Sequence, residues 1–193
     1  MKLIFATNNQ HKIDEMKAVL PPFLSIITLK EAGISNDIPE PYDTLEENAQ
    51  AKARIIFNLT NTHCFSEDTG LETEALKGAP GVHSARYAGE ERSHSKNIEK
   101  LLAALQNEKN RSARFKTVIC LIWQGKEYFF EGICKGSITD KPQGSEGFGY
   151  DPVFIPDGSD KTFAQMSIAE KSRYSHRRKA VDKLVTFLNR IDK

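Results

Sequence analysis

This sequence has few cysteines, almost no net charge and no long apolar runs. Its 193 residues include three cysteines without a CxxC pair, which predicts reduced, buried thiols in a cytosolic protein rather than disulfides or metal ligands. The 27 basic and 26 acidic residues argue against a general nucleic-acid binder, because such a protein must neutralise a polyanion. No apolar run is long enough to predict a signal peptide or a membrane span.

The order of strand-like and helix-like segments predicts an α/β fold with a mixed sheet. Hydrophobic residues make up 39% of the chain, enough for a core without covalent staples. Apolar periodicity predicts strands at 3–6 and 25–29 and a hairpin of 113–123 and 126–135. The capping boxes Thr44-x-x-Glu47 and Ser167-x-x-Glu170 predict the starts of two helices. Such mixing of elements is typical of a twisted sheet with flanking helices.

The polar segment after the first strand is a candidate phosphate site. It comprises Thr7, Asn8, Asn9, Gln10, His11 and Lys12. Backbone N–H groups and the dipole at a helix start favour an anion, and a lysine adds a point charge. An ordinary turn with an asparagine cap explains the same letters, since the segment is not a GxxxxGK[ST] loop.

Acidic residues supply a candidate metal and catalytic site. Glu67 and Asp68 follow an apolar strand, and Glu40 lies between two prolines. Carboxylate oxygens suit Mg²⁺, which also takes water and phosphate ligands. A water activated by the metal beside Asp68 could attack phosphorus. The alternative is that these acids cap or solvate turns.

A helix face after Thr44 offers further polar groups. Asn48 and Lys52 are four residues apart and share a face, with Glu47 beside them. If this face meets the acids, Lys52 binds phosphate and Glu47 orders a metal water. Otherwise the three side chains form a solvated helix surface.

Two segments near the C-terminal end are candidates for recognition of a base. In Gly147–Asp151, two glycines flank Phe148, so the ring can be displayed for stacking while Asp151 accepts from a base N–H. The alternative is a glycine-rich turn with a buried phenylalanine. The basic run from Lys171 to Lys179 includes His176 and Arg177 at a helix start, where the dipole disfavours cations. Such a placement points to an anionic or carbonyl-bearing ligand, although a solvated face explains Arg178 and Lys179.

Taken in order, six stretches resemble the inosine triphosphate pyrophosphatase (Ham1-like) family. They are FATNNQHK, ENAQAKA, SEDTGL, GAPGVHSARYAG, GFGYDPVF and AEKSRYSHRRKA, spread over residues 5–180. Many members have Asp-Asp-Ser-Gly where this chain has Glu67-Asp68-Thr69-Gly70. A carboxylate and a hydroxyl are kept at both altered positions.

The resemblance implies a single domain over 1–193, elongated and two-lobed, with the nucleotide in a central cleft. It implies a cytoplasmic homodimer that uses Mg²⁺ to hydrolyse ITP, dITP or XTP to the monophosphate and pyrophosphate. No nucleic-acid or membrane partner is expected. Two alternatives remain, a nucleotide pyrophosphatase of other base preference and a non-catalytic nucleotide- or RNA-binding module.

The resemblance also assigns roles to individual residues. Asp68 is the general base and a metal-site acid, with Glu40 as the second acid. The substrate contacts it implies are Thr7, Asn8, Asn9, Gln10, His11, Lys12, Lys52, Thr69, Phe148, Gly149, Tyr150, Asp151, Lys171, His176 and Arg177. Donors from His176 or Arg177 would pair with the 6-oxo group of hypoxanthine or xanthine and be left unpaired by adenine, which makes discrimination steep.

Overall fold

The computed structural model describes residues 1–35 and 38–191, which form a mixed α/β structure. The strands are β1 (Lys2–Phe5), β2 (Ser25–Thr28), β3 (Cys64–Thr73), β4 (Pro80–Gly81), β5 (Ser112–Trp123), β6 (Lys126–Ile138) and β7 (Phe154–Pro156). The helices are α1 (Gln10–Val19), α2 (Leu45–Thr60), α3 (His94–Ala104), α4 (Ile168–Ser172) and α5 (His176–Ile191). The predicted fold class is therefore confirmed.

Both parallel and antiparallel pairs occur in the sheet, as predicted. Its strands are hydrogen-bonded in the order β2-β1-β3-β5-β6-β7, with β4 paired to β3. Strand β1 runs parallel to β2 and β3, whereas the β3–β4 and β6–β7 pairs are antiparallel. Parallel neighbours need a crossover connection, and α1 supplies the one between β1 and β2.

The predicted hairpin is formed by β5 and β6. Gln124 and Gly125 connect the two strands, and both have positive φ, 50° and 74°. Positive φ at both central residues is the requirement of the two-residue turn that matches strand twist. Glycine at the second position adopts this backbone without steric cost, which is why this pair makes the turn.

Capping explains where two predicted helices begin. The Thr44 side chain accepts from the Glu47 backbone N–H at the start of α2. At the start of α4, Ser167 and Glu170 form a reciprocal capping box. Each interaction satisfies a donor that the first helical turn leaves without a partner.

One boundary differs from the sequence prediction. We expected the strand to end before Glu67-Asp68, but β3 continues to Thr73. Consecutive residues of a continuous strand face opposite sides. Glu67 and Asp68 therefore have separate surroundings, which decides their different contacts below.

The chain divides into two compact units, each with its own core. Unit 1 holds residues 1–68, 117–132 and those from 177 onward, and unit 2 holds 69–116 and 133–176. The core of unit 1 includes Leu3, Phe5, Met16, Phe65, Ile119, Leu121, Val181, Leu184 and Leu188. That of unit 2 includes Leu71, Leu101, Leu105, Phe115, Val153, Phe154 and Phe163. The prediction of a single domain of two lobes with a central cleft stays a prediction.

All three cysteines are buried, as predicted. Burial raises the pKa of the Cys64 and Cys120 thiols to about 12, so both are protonated at neutral pH and behave as small apolar side chains. Among the helices of the described residues, none is both long and apolar enough to cross a bilayer.

Candidate active site

The predicted phosphate segment, residues 7–12, spans the end of the loop after β1 and the first turn of α1, and its own side chains organise it. The Thr7 hydroxyl accepts from Asn9 N at 3.2 Å, and Asn9 Oδ1 accepts from Lys12 N at 3.2 Å. Asn9 thus caps α1, as the alternative interpretation of this segment expected. Gln10 Nε2 donates to Asp14 at 2.7 Å, while Asn8 and His11 are exposed. Phosphate binding by the segment stays a prediction.

Lys52 is the centre of the acid cluster in unit 1. Its ammonium lies 3.3 Å from Asp68 Oδ1, donates to the Glu67 carbonyl at 2.8 Å, and forms an ion pair with Glu40. The side chain is only 6% exposed, so this face of α2 is not a solvated surface. Lys52 therefore meets the acids, as one of the two interpretations of the helix face expected, and its binding of phosphate stays a prediction.

Burial and charge act together on this cluster. Burial raises the pKa of Asp68 above its ordinary value, although positive Lys52 and Lys12 oppose the rise. Burial alone would lower the pKa of Lys52, but the carboxylates of Asp68 and Glu40 raise it above its ordinary value. The lysine is therefore charged at neutral pH, and Asp68 is a stronger base than an exposed aspartate.

The loop that carries Glu40 is held by α2. Asn48 is buried, its Oδ1 accepts from Tyr42 N at 3.0 Å, and its Nδ2 donates to Tyr42 O at 3.0 Å. This two-point bond fixes the chain two residues after Glu40. Glu47 is exposed and accepts from the Thr44 hydroxyl at 2.7 Å, so its contact is with the helix cap rather than with the acid cluster.

A second charged group in unit 1 surrounds Glu67. Arg177 donates to it through Nε–Oε2 and Nη2–Oε1 bonds of 2.7 Å each, and Lys12 Nζ lies 3.3 Å from Glu67 Oε1. The remaining nitrogen of the guanidinium, Arg177 Nη1, donates to the Glu15 carboxylate. Arg177 is 2% exposed and the Glu67 side chain 0%. Glu15 was not among the predicted site residues, because no local pattern relates it to a partner 162 positions away.

The Phe148 segment of unit 2 is clamped by an aspartate. Asp151 Oδ2 accepts from Phe148 N at 2.9 Å and from Lys171 Nζ at 2.6 Å. Gly147 has φ +75°, and a Cβ there would lie 2.1 Å from Asp151 Oδ2. Glycine is therefore required before Phe148, both for its backbone and for the close approach of the carboxylate.

Rings and cations meet in the same part of unit 2. Lys171 Nζ lies 5.2 Å from the centroids of both Phe148 and Phe163, within cation–π range. His176 is buried, and its ring stacks on Phe115 with centroids 4.7 Å apart. The alternative of a glycine-rich turn with a buried phenylalanine holds in part, because Gly147 and Gly149 have positive φ whereas Phe148 is partly exposed.

The structure brings together some of the predicted residues within each unit. In unit 1, Glu40, Lys52 and Asp68 converge, and Lys12 reaches the neighbouring Glu67. In unit 2, Phe148, Asp151 and Lys171 converge. Tyr150 is buried, and its hydroxyl donates to Ser84 O at 2.8 Å, a core contact. Thr69 follows Asp68 on β3, and Gly149 has φ 63° in the turn after Phe148.

Comparison with known proteins identifies the family. The model of the Ham1 family matches residues 3–187. The chain belongs to the Ham1 family. Two relatives of this Ham1-family chain are dITP/XTP pyrophosphatases: that of Flavobacterium johnsoniae is 50% identical over 97% of this chain and 98% of its own length, and that of Porphyromonas gingivalis is 50% identical over 97% of each.

Solved structures agree with this Ham1 assignment. The Ham1 protein of Staphylococcus aureus is 40% identical, covers 98% of each chain and superposes with a TM-score of 0.88. The HAM1 protein from Coxiella burnetii is 35% identical, covers 98% of this chain and 99% of its own, and gives a TM-score of 0.89. The family resemblance and the mixed α/β class predicted from the sequence are both confirmed.

Proposed function

We propose that this chain hydrolyses purine nucleoside triphosphates with an abnormal base, such as dITP or XTP, to the monophosphate and pyrophosphate. The observation that carries the proposal is the buried Lys52, whose ammonium lies 3.3 Å from Asp68 and also contacts Glu40. A buried acid with a raised pKa beside a buried cation is the arrangement a general base needs near a polyphosphate. Relatives 50% identical carry the matching name.

The chemistry assigned to unit 1 is an in-line displacement at the α-phosphorus. A triphosphate carries about four negative charges at neutral pH, and Lys12 and Lys52 are the residues proposed to neutralise part of them. Asp68 takes a proton from the attacking water as the new bond to phosphorus forms. The bond between the α and β phosphates breaks, and pyrophosphate leaves with the bonding electrons. No covalent enzyme intermediate is needed.

Glu40 and Asp68 fit the donor set of Mg²⁺. Both carboxylates contact one cationic group, Lys52 Nζ, and Mg²⁺ takes its remaining ligands from water and phosphate. Over residues 1–35 and 38–191, no three His, Cys, Asp or Glu side chains are grouped to hold a metal. Glu40 and Asp68 are the proposed holders because both contact Lys52 Nζ. When bound, the ion supplies positive charge against phosphate oxygens and makes a water more acidic.

Phe148 is the proposed contact of the base in unit 2. Its ring is partly exposed and its backbone is fixed by Asp151, which suits a stacking surface. The predicted hydrogen bonds from His176 or Arg177 to a 6-oxo group remain part of the proposal. Arg177 already donates N–H groups to Glu67 and Glu15. A hydrogen bond from Arg177 to the 6-oxo group of the base would have to use a different N–H group of its guanidinium.

A substrate panel tests the proposed function. Purified chain is incubated with Mg²⁺ and ITP, XTP, dITP, GTP, ATP or dTTP, and monophosphate and pyrophosphate are both measured. We expect equal amounts of the two products from ITP, dITP and XTP, and far less from the others. Preference for dTTP would establish a pyrophosphatase of other base preference. Tight ITP binding without turnover would establish a non-catalytic module.

Loss of the Phe148 ring should weaken substrate binding more than chemistry. Stacking of a base on an aromatic side chain contributes about 1–3 kcal/mol, so Phe148→Ala is expected to raise KM for ITP by about 5- to 150-fold. Its kcat should change less, because the acids of unit 1 are untouched. Phe129→Ala, which removes a ring that is 45% exposed, is the control. Equal KM values for the two variants would remove Phe148 from base binding.

A homodimer and a cytoplasmic location complete the proposal. Both rest on the family resemblance. Sedimentation of the purified chain at micromolar concentration tests the first, with a mass near 43 kDa expected from two chains of 21.7 kDa.

A further inference from the structure

Glu15 is a buried carboxylate on α1, the helix that begins within the proposed phosphate segment. Its side chain is 12% exposed, and it lies in α1 between the core residues Ile13 and Met16. A charge in such a place is costly unless it is paired, and Arg177 supplies the pair. Buried ion pairs seldom stabilise a fold more than apolar replacements do. The pair therefore calls for a reason other than stability.

Arg177 connects Glu15 to Glu67 through hydrogen bonds to both carboxylates. Its Nε and Nη2 form a two-bond fork with the Glu67 carboxylate, both bonds at 2.7 Å, while Nη1 donates to Glu15. A guanidinium bonded on three sides has little freedom to turn. Helix α1 also reaches Glu67 directly, through Lys12 Nζ at 3.3 Å. The helix is thus attached to Glu67 twice.

Glu67 is in turn the residue before the proposed general base. Its side chain and that of Asp68 point to opposite faces of β3. Lys52 donates to the Glu67 carbonyl at 2.8 Å and contacts Asp68 at 3.3 Å. The peptide that joins the two acids is therefore held from the Lys52 face and, through the Glu67 carboxylate, from the Arg177 face.

The formal charges of this second group cancel. Glu15 and Glu67 contribute two negative charges, and Arg177 and Lys12 contribute two positive ones. Neutralising Glu15 leaves a net positive charge in a buried place and one arginine N–H without its carboxylate. Arg177 then keeps its fork to Glu67 but loses its charged partner on α1, so its position relative to that helix is less firmly fixed.

We infer that Glu15 is a positioning residue, which acts through Arg177 on Glu67 to fix the spacing between the 7–12 segment and Asp68. It need not touch the substrate. Since this rests on the proposed pyrophosphatase activity, the inference concerns the rate of the chemical step. A misplacement of about 1 Å can cost on the order of 10²-fold in rate.

The test compares kcat and KM for ITP in Glu15→Gln, Glu15→Asp and wild type, well below each protein's melting temperature. We expect Glu15→Gln to lower kcat by about 10- to 100-fold while KM changes by less than about threefold. Glu15→Asp keeps the charge on a shorter side chain, so its kcat should lie between the other two. If Glu15→Gln does not fold, the comparison of Glu15→Asp with wild type decides.

Glu127→Gln is the matched control. Glu127 also receives a two-nitrogen fork from an arginine, Arg54, but that arginine is 55% exposed. The kcat of Glu127→Gln should equal that of wild type. A Glu15→Gln protein that melts earlier but keeps wild-type kcat would show a purely structural role and overturn the inference, as would a raised KM at unchanged kcat. A wild-type chain that releases no pyrophosphate would overturn the proposed function and this inference with it.

Discussion

Asp68→Asn should leave the fold intact and slow pyrophosphate release from ITP by about 10²- to 10⁴-fold, the contribution typical of a general base. Asparagine has the shape of aspartate and can still accept from Lys52, which lies 3.3 Å from Asp68 Oδ1. It cannot take a proton from water. Initial rates with Mg²⁺ and ITP, together with far-UV circular dichroism, separate loss of chemistry from loss of structure.

Asp182→Asn serves as the control for this variant. Asp182 is 54% exposed and pairs with Arg178 one helical turn away, so the same substitution there should not alter turnover. Near-normal turnover by Asp68→Asn would remove Asp68 from its proposed role. Slow turnover accompanied by loss of secondary structure would show that the residue is needed for folding instead.

Arg177→Ala should destabilise the protein by about 3–5 kcal/mol, the cost of removing one partner from a buried ion pair. The substitution leaves the Glu67 carboxylate, which is 0% exposed, and that of Glu15 without their shared guanidinium. Arg54→Ala breaks a similar fork at the surface and should cost no more than about 1 kcal/mol. Urea unfolding of both variants measures the difference.

The same Arg177 variant tests base recognition. If it retains enough folded protein, its relative kcat/KM on ITP and ATP can be compared with that of wild type. An unchanged ratio would refute a hydrogen bond from Arg177 to the 6-oxo group and leave only its contacts with Glu67 and Glu15.

In the unfolding experiment, equal losses of stability in Arg177→Ala and Arg54→Ala would contradict the argument that burial makes the Arg177 ion pairs costly to break.

Local signals predicted most of the fold. The helix caps at Thr44 and Ser167 and the turn at Gln124-Gly125 depend only on neighbouring residues. The local sequence is therefore enough to predict them. The end of β3 was misplaced because acidic residues within a buried strand look like the start of a loop. Only pairing with distant residues satisfies them, and such pairing has no local signature.

The contacts of the candidate site were likewise predicted only in part from the sequence. Lys52 and Asp68 were predicted to act together, and they lie 3.3 Å apart. Arg177 was expected to contact a base, and its place between Glu67 and Glu15 was not foreseen. A basic run in a sequence shows that cations are present, but which of them is buried depends on how α5 packs.

The sequence by itself determined the family, the mixed α/β class, the identities of the acids and lysines, and the glycine before Phe148, because each depends on residue type and short spacing. The tertiary structure decided which charges meet. Lys52 joins Glu40 to Asp68, and Arg177 joins Glu15 to Glu67, across separations of up to 162 positions. The physical reason is that a buried charge is tolerated only where a partner of opposite sign is brought to it.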